Sequence, residues 1–170
     1  LRADSTDLAR VLVSQYALVY GNNWFVAPFA QAVGTLAEVE GLIVTDGGIE
    51  LTADGRALAQ RVVRRHRLAE RFLTDVLKLS WAEAHHEAGK WEHIMSSNVE
   101  EAMNTLLGEP TTCPHGNPIP GSDYIDELVA PLSQHPVGER FTVRRIPEEL
   151  EFAPGLLEFL EQSSLRPGCT

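Results

Sequence analysis

The residues best suited to chemistry in this chain lie between His66 and His93. His66 and Glu70 are four apart, so a helix stacks them on one face. His85, Glu92 and His93 are related by seven and eight residues, which is two helical turns, and share a face of a second helix. Imidazole and carboxylate without thiolate suit a divalent transition ion such as Mn(II), Fe(II), Co(II), Ni(II) or Zn(II). Spacing alone leaves a second reading open, in which these are polar side chains on exposed helix faces.

Other chemistries find less support. His86-Glu87 begins like the zincin H-E-x-x-H, but Lys90 stands where the second histidine belongs. No glycine-rich phosphate loop precedes a helix, and no serine sits in a G-x-S-x-G elbow. Cys113 and Cys169 make neither a disulfide framework nor a zinc knuckle. They point to a reducing, cytoplasmic compartment. No apolar run approaches the roughly 20 residues of a membrane helix, and the start lacks a signal-peptide pattern. A soluble protein without a membrane partner is the expectation.

The elements that would position these residues can be read from periodicity. Residues 6–20 carry apolar side chains at helical spacing, and residues 24–43 are ambiguous, with a helical face after Pro28 weakened by Gly34. Residues 41–45, 46–48 and 49–52 read as strand, tight turn and strand. From Asp54 a long helix follows, with an apolar stripe through Leu58, Val62, Leu68, Phe72 and Leu73 to Val76 and Leu77. Its opposite face holds Arg56, Arg61, Arg64, Arg65, Arg67 and Arg71, six of the 14 basic residues, and such a face is usually solvated. Ser80 with Glu83, and Ser97 with Glu100, read as capping boxes of two more helices, the latter ending at Gly108. A turn-rich connector spans 114–121 and a linker 122–136. Residues 141–146 alternate as a strand, and 148–162 supply a short helix or turn.

The chain has 170 residues, enough for one ordinary domain or two small ones. At 44% hydrophobic and 22% charged it can bury a core. Its 24 acidic against 14 basic side chains give a net charge of −10, an awkward balance for a nucleic-acid binder, which normally neutralises phosphates with a basic face.

Against this stand the segments Leu51-Thr-Ala-Asp-Gly55, Arg65-His-Arg-Leu-Ala-Glu-Arg-Phe-Leu73, His85-His-Glu-Ala-Gly-Lys-Trp-Glu-His-Ile-Met-Ser96 and Gly116-Asn-Pro-Ile-Pro-Gly121. In order and spacing they closely resemble the diphtheria toxin repressor family of iron- or manganese-dependent transcriptional regulators. The resemblance runs from about Gly47 to Gly121. It implies a mainly α fold in four parts. These are an atypical winged-helix-like segment at 1–54, a helical metal-binding and dimerisation domain at 55–122, a linker at 123–136, and the truncated start of an SH3-like β domain at 137–170.

The resemblance also implies the roles. His66, Glu70 and His85 match the ancillary metal site, to which Glu148 and Glu151 are the candidate additions. Glu92 and His93 match two ligands of the primary site. The family places a cysteine or second carboxylate three residues before that glutamate, where this chain has Gly89. Fe(II) or Mn(II) would be the effector, with Co(II), Ni(II) or Zn(II) as surrogates. By resemblance, metal fixes the angle between winged helix and dimer core, so that a dimer matches the half-sites of a palindromic operator. Trp91, Met95, Val99 and Met103, with Ile94 and Leu106, are apolar at helical spacing and form the expected dimer surface. An intramolecular core explains some of them equally well.

The expected reading head departs from the family. Residues 1–55 hold two arginines and no lysine against seven acidic side chains. In the stretch 27–36 only Gln31 and Thr35 are polar, so these are the candidate base contacts, with Phe29 against a thymine methyl. Phosphate contacts would fall to Arg2, Arg10 and the basic helix face. The leading expectation is a metal-dependent repressor without enzymatic activity that controls metal-homeostasis genes. The rival is a metal-binding dimeric sensor or interaction protein whose DNA-reading head is altered or lost. A metallohydrolase has only the His/Glu cluster in its favour.

Overall fold

The structure, a computed structural model, describes residues 43–45, 49–151 and 153–170. The two N-terminal helical readings, and with them Gln31, Thr35, Phe29, Arg2 and Arg10, lie outside the described residues. The described residues are mainly helical and divide into two compact units, 1–64 and 65–170.

In the first unit, strands β1 (Ile43–Thr45) and β2 (Ile49–Leu51) pair antiparallel, with Ile43 opposite Leu51 and Thr45 opposite Ile49. This is the expected hairpin. Helix α1 (Ala53–Asp75) follows at once. The Thr52 hydroxyl accepts from the Gly55 N–H at 3.1 Å, satisfying one of the donors that every helix start leaves open. The division between the units falls inside this helix.

The second unit is built on the remainder of α1, helix α2 (Trp81–Ile94) and helix α3 (Ser97–Leu106). Ala69, Leu73, Ala84, Ala88, Met95 and Met103 form its core, with Phe72, Leu79 and Trp91 packed against them. Val76 and Leu77, expected to continue the stripe of α1, instead lie beyond its end and are about half exposed. The chain turns there through Lys78, at φ 63°.

The caps fall partly as expected. Ser80 and Glu83 form the capping box of α2, the Ser80 N–H donating to Glu83 Oε2 at 3.1 Å. At α3 the cap is Ser96, not Ser97, and its hydroxyl accepts from the Val99 N–H. Glu100 is drawn away from the expected box by Arg65, whose Nε donates to it at 2.9 Å. The guanidinium–carboxylate pair joins two full charges, where a cap bond joins one charge to a neutral N–H. The helix closes through Gly108 at φ 73°, with the Glu109 N–H returning to Asn104 O and the Gly108 N–H to Thr105 O.

The basic face of α1 is only partly solvated. Arg56 and Arg61 are exposed, but Arg65, Arg67 and Arg71 tie α1 to the rest of the unit. Arg71 Nε donates to Thr112 O at 2.8 Å, and Arg67 reaches Pro118 O and Glu148 Oε2. The connector closes on itself through Cys113 N–H to Asn117 O and Ile119 N–H to Thr111 O.

The expected strand at 141–146 is absent. Its backbone partners are isolated rather than a ladder: Val143 pairs with the 168–169 stretch, and the Ile146 N–H donates to His115 O. No neighbouring strand extends that pairing among the described residues. Short helices α4 (Glu148–Glu151) and α5 (Leu156–Gln162) follow. Trp81, Ile146 and Leu157 form a second small core that seats this C-terminal stretch on the start of α2, with the Arg166 guanidinium 5.6 Å above the Trp81 ring. Among the described residues no helix is long and apolar enough to cross a membrane.

Candidate metal centre

Helix α1 presents His66 and Glu70 one turn apart, and α2 presents His85 and Glu92. Where the two helices face each other these side chains converge. His66 Nε2 lies 3.1 Å from Glu70 Oε1 and 3.3 Å from His85 Nδ1. His85 Nδ1 lies 2.9 Å from the same Glu70 oxygen. Ligands of an ion bound at about 2.1 Å stand ~3.0 Å apart when octahedral and ~3.4 Å when tetrahedral. The three observed separations, 2.9 to 3.3 Å, lie at or close to those values.

The C-terminal stretch completes the cluster. Glu151 on α4 places Oε2 3.3 Å from His85 Nδ1 and Oε1 3.2 Å from His115 Nδ1. Asn117 sets its position, one amide donating both to Glu151 Oε1 at 2.7 Å and to Ile146 O at 2.9 Å. Glu148 is placed differently, its Oε2 held by Arg67 Nη2 at 2.6 Å. Glu92 receives His66 Nδ1 at 2.6 Å and fixes the ring so that Nε2 faces the cluster. His93, more exposed, stands 3.0 Å from the other Glu92 oxygen. Gly89 leaves open space where a third side chain of that face would project.

The site is buried and heavily charged. Glu70 and Glu92 are each 1% exposed, and His66 is 2% exposed. Burial alone would lower the pKa of His66, but the Glu70 and Glu92 carboxylates overcome it and raise it to about 10. Burial likewise opposes protonation of His85, and the neighbouring Glu151 and Glu70 carboxylates raise it to about 9. His115 is raised in the same way against its burial, chiefly by Glu70. Burial works to raise the Glu70 carboxyl, yet His66 and His115 hold it well below its ordinary value. Glu92 is lowered, its burial outweighed by His66 and His93. Glu148 is raised by burial, with Arg67 opposing.

These residues fit a divalent cation. Glu92 Oε1 and Glu151 Oε2 are buried and lack a hydrogen bond, although an imidazole nitrogen lies near each. Buried polar atoms ordinarily find partners. One ion accepts several lone pairs at once. His66, Glu70 and His85 are the residues that would hold it, the first two buried and His85 partly so; Glu70, Cys113 and His115 make a second, fully buried group.

Reasoning from sequence missed His115 and Asn117, and gave Cys113 no role in the site. His115 is fully buried, and its Nδ1 lies 3.6 Å from Glu70 Oε1 and 3.9 Å from Cys113 Sγ. The only signal was a Cys-x-His pair inside a turn, which alone specifies nothing. Of the expected dimer surface, Met95 and Met103 lie in the core of the unit, Trp91 is partly buried, and Val99 is 48% exposed. Ile94 and Leu106 are more exposed still.

The family model of the iron dependent repressor, metal binding and dimerisation domain, matches residues 52–121. The diphtheria toxin repressor of Corynebacterium diphtheriae is 47% identical over 90 residues, 52% of this chain and 40% of that protein. A solved manganese-dependent transcriptional repressor is 32% identical, covering 82% of this chain and 74% of its own, with a TM-score of 0.65. This chain belongs to the diphtheria toxin repressor family. The iron-dependent repressor IdeR of Mycobacterium tuberculosis is 40% identical over 136 residues, 74% of this chain. The match spans 59% of that relative's length. Within the diphtheria toxin repressor family frame, His66, Glu70, His85, Glu92, His93 and His115 lie inside the matched domain, while Glu148 and Glu151 lie beyond it.

Proposed function

We propose that this chain is a metal-dependent transcriptional repressor that senses Fe(II) or Mn(II) in the cytoplasm and controls metal-homeostasis genes as a homodimer. The observation that carries this reading is the convergence of His66, Glu70 and His85 on one point with Glu151 closing it from a separate element. The family match supports the same conclusion. Co(II), Ni(II) and Zn(II) serve as surrogates, since the donors are imidazole and carboxylate. The ion is an effector: it favours the state that binds DNA in proportion to its greater affinity for that state. No substrate bond is made or broken, and the protein is not an enzyme.

In this reading Glu92 and His93 form a second, poorer position, because Gly89 supplies no donor. Glu148 is, with Glu151, the candidate addition to the first position, its Oε2 bound by Arg67. Residues 1–54 are the winged-helix-like segment, with Gln31 and Thr35 at the bases. Residues 55–122 are the metal-binding and dimerisation domain, 123–136 the linker and 137–170 the start of an SH3-like domain. The exposed apolar side chains Ile94, Val99 and Leu106, beside Trp91, are the dimer surface, with Met95 and Met103 supporting it from behind.

A gel shift on operator fragments, with and without Mn(II) or Fe(II) across a salt series, tests the proposal. Metal-triggered binding that weakens steeply with salt supports it. Tight metal binding with no DNA binding at any salt favours a second reading, a metal-binding dimeric sensor or interaction protein with an altered head. The seven acidic against two basic side chains in residues 1–55 are the observation behind that alternative.

A further inference from the structure

The chelating side chains of the centre form two groups that meet at one residue. His66, Glu70 and His85 make the first, and Glu70, Cys113 and His115 the second; within each, the donor atoms lie within 4.8 Å of one another. A single Glu70 oxygen, Oε1, faces His66 at 3.1 Å, His85 at 2.9 Å and His115 at 3.6 Å. The groups are otherwise apart. The ring centroids of His66 and His85 are 5.0 Å apart, whereas those of His85 and His115 are 6.4 Å apart. Glu151 stands between them, Oε2 3.3 Å from His85 Nδ1 and Oε1 3.2 Å from His115 Nδ1.

The two groups differ in chemical character. The first offers two imidazoles and a carboxylate, which suit Mn(II) or Fe(II). The second replaces one imidazole by a thiol, which as thiolate selects softer ions such as Zn(II) or Cd(II). Cys113 Sγ lies 3.9 Å from His115 Nδ1, where sulfur and nitrogen on one tetrahedral zinc stand ~3.6 Å apart. The second group is thus slightly wide for zinc, as a larger soft ion requires. The backbone keeps it in place. Gly116, at φ 87°, sits so close to the Arg144 carbonyl that a Cβ would collide with it. The Gly116 N–H returns to Cys113 O, and the His115 carbonyl accepts the Ile146 N–H at 2.9 Å.

We propose that the two groups are alternative seats for one ion, with Glu70 serving whichever is filled, so that a thiophilic ion at Cys113 and His115 excludes the effector from His66 and His85. Charge makes the seats exclusive. Two dications would exceed the negative charge of Glu70, Glu151 and a Cys113 thiolate, and uncompensated charge is costly in a buried space. Glu92 sits on the far nitrogen of His66 and Glu148 is paired with Arg67, so neither offsets an ion beside His115. Filling the second seat releases the Cys113 thiol proton to solvent. The inference rests on the reading of His66, Glu70 and His85 as a metal site and gives that site a built-in competitor.

Metal exchange on the full chain tests this. A Cys169→Ser, His93→Ala background removes the exposed thiol and the ring of the poorer position. The chain is loaded with one equivalent of Mn(II) and titrated with Cd(II). Electron paramagnetic resonance reads the released Mn(II), and charge-transfer absorption reads the cadmium–thiolate bond. The expected result is absorption that rises in step with an equal release of Mn(II). Absorption with Mn(II) retained shows both seats filled at once and overturns the proposal. Absence of the absorption overturns the seat at Cys113 and leaves the one at His66, Glu70 and His85 standing. A chain that never takes up Mn(II) overturns that site as well. Cys113→Ser in the same background should abolish the absorption and raise the Cd(II) needed for half-release by roughly tenfold or more. An unchanged requirement contradicts the assignment.

Discussion

At the scale of residues, Glu70 is the pivot of the centre. One of its oxygens is approached by His66, His85 and His115, so it balances several buried positive groups. Glu70→Gln removes that balance and should destabilise the metal-free chain by about 3 kcal/mol, the usual cost of breaking a buried pair. A urea titration checks this, and a loss below about 1 kcal/mol contradicts it. Gly89 tests the opposite side. It lies within α2 with open space at its Cβ position, so Gly89→Ala should raise stability by about 0.8–1 kcal/mol through helix propensity alone. An unchanged or lower midpoint would show that the glycine is needed there. The spacing of His66 with Glu70 was legible because a single helix fixes it. His115 was not, since nothing local says that a turn 49 residues from His66 folds back onto it. Glu151 was reachable only by resemblance.

At the scale of elements, caps show how far local rules go. The α2 box is intact as read from Ser80 and Glu83, because nothing competes for Glu83. The α3 start is displaced by one residue because Arg65, distant in sequence, takes Glu100. Ser96→Ala should therefore cost about 1 kcal/mol and Ser97→Ala close to nothing, as thermal unfolding of the two variants would show. The reverse order would place the cap where the sequence pattern alone put it. The strand expected at 141–146 failed for a related reason. Alternation specifies a face, but a strand also needs a neighbour to complete its ladder. Here the backbone of Ile146 is taken by His115 and Asn117. Those same two bonds deliver α4, and so Glu151, to the metal centre.

At the scale of the whole molecule, the charge of −10 has a different meaning from the one composition suggests. Basic residues concentrate on α1, and three of them clamp the helices and connector rather than facing solvent. Part of the acidic excess is also committed, since Glu70, Glu92, Glu148 and Glu151 are buried. Net charge therefore says little about DNA, and the acidic bias of residues 1–55 bears on it more directly. Metal sensing by this chain depends on one cluster holding one ion. Titration calorimetry with Co(II) on the wild-type chain and on His85→Ala tests that most directly. The variant should bind one ion fewer per chain, or bind it at least a hundredfold more weakly. Identical stoichiometry and affinity in the two proteins would contradict it.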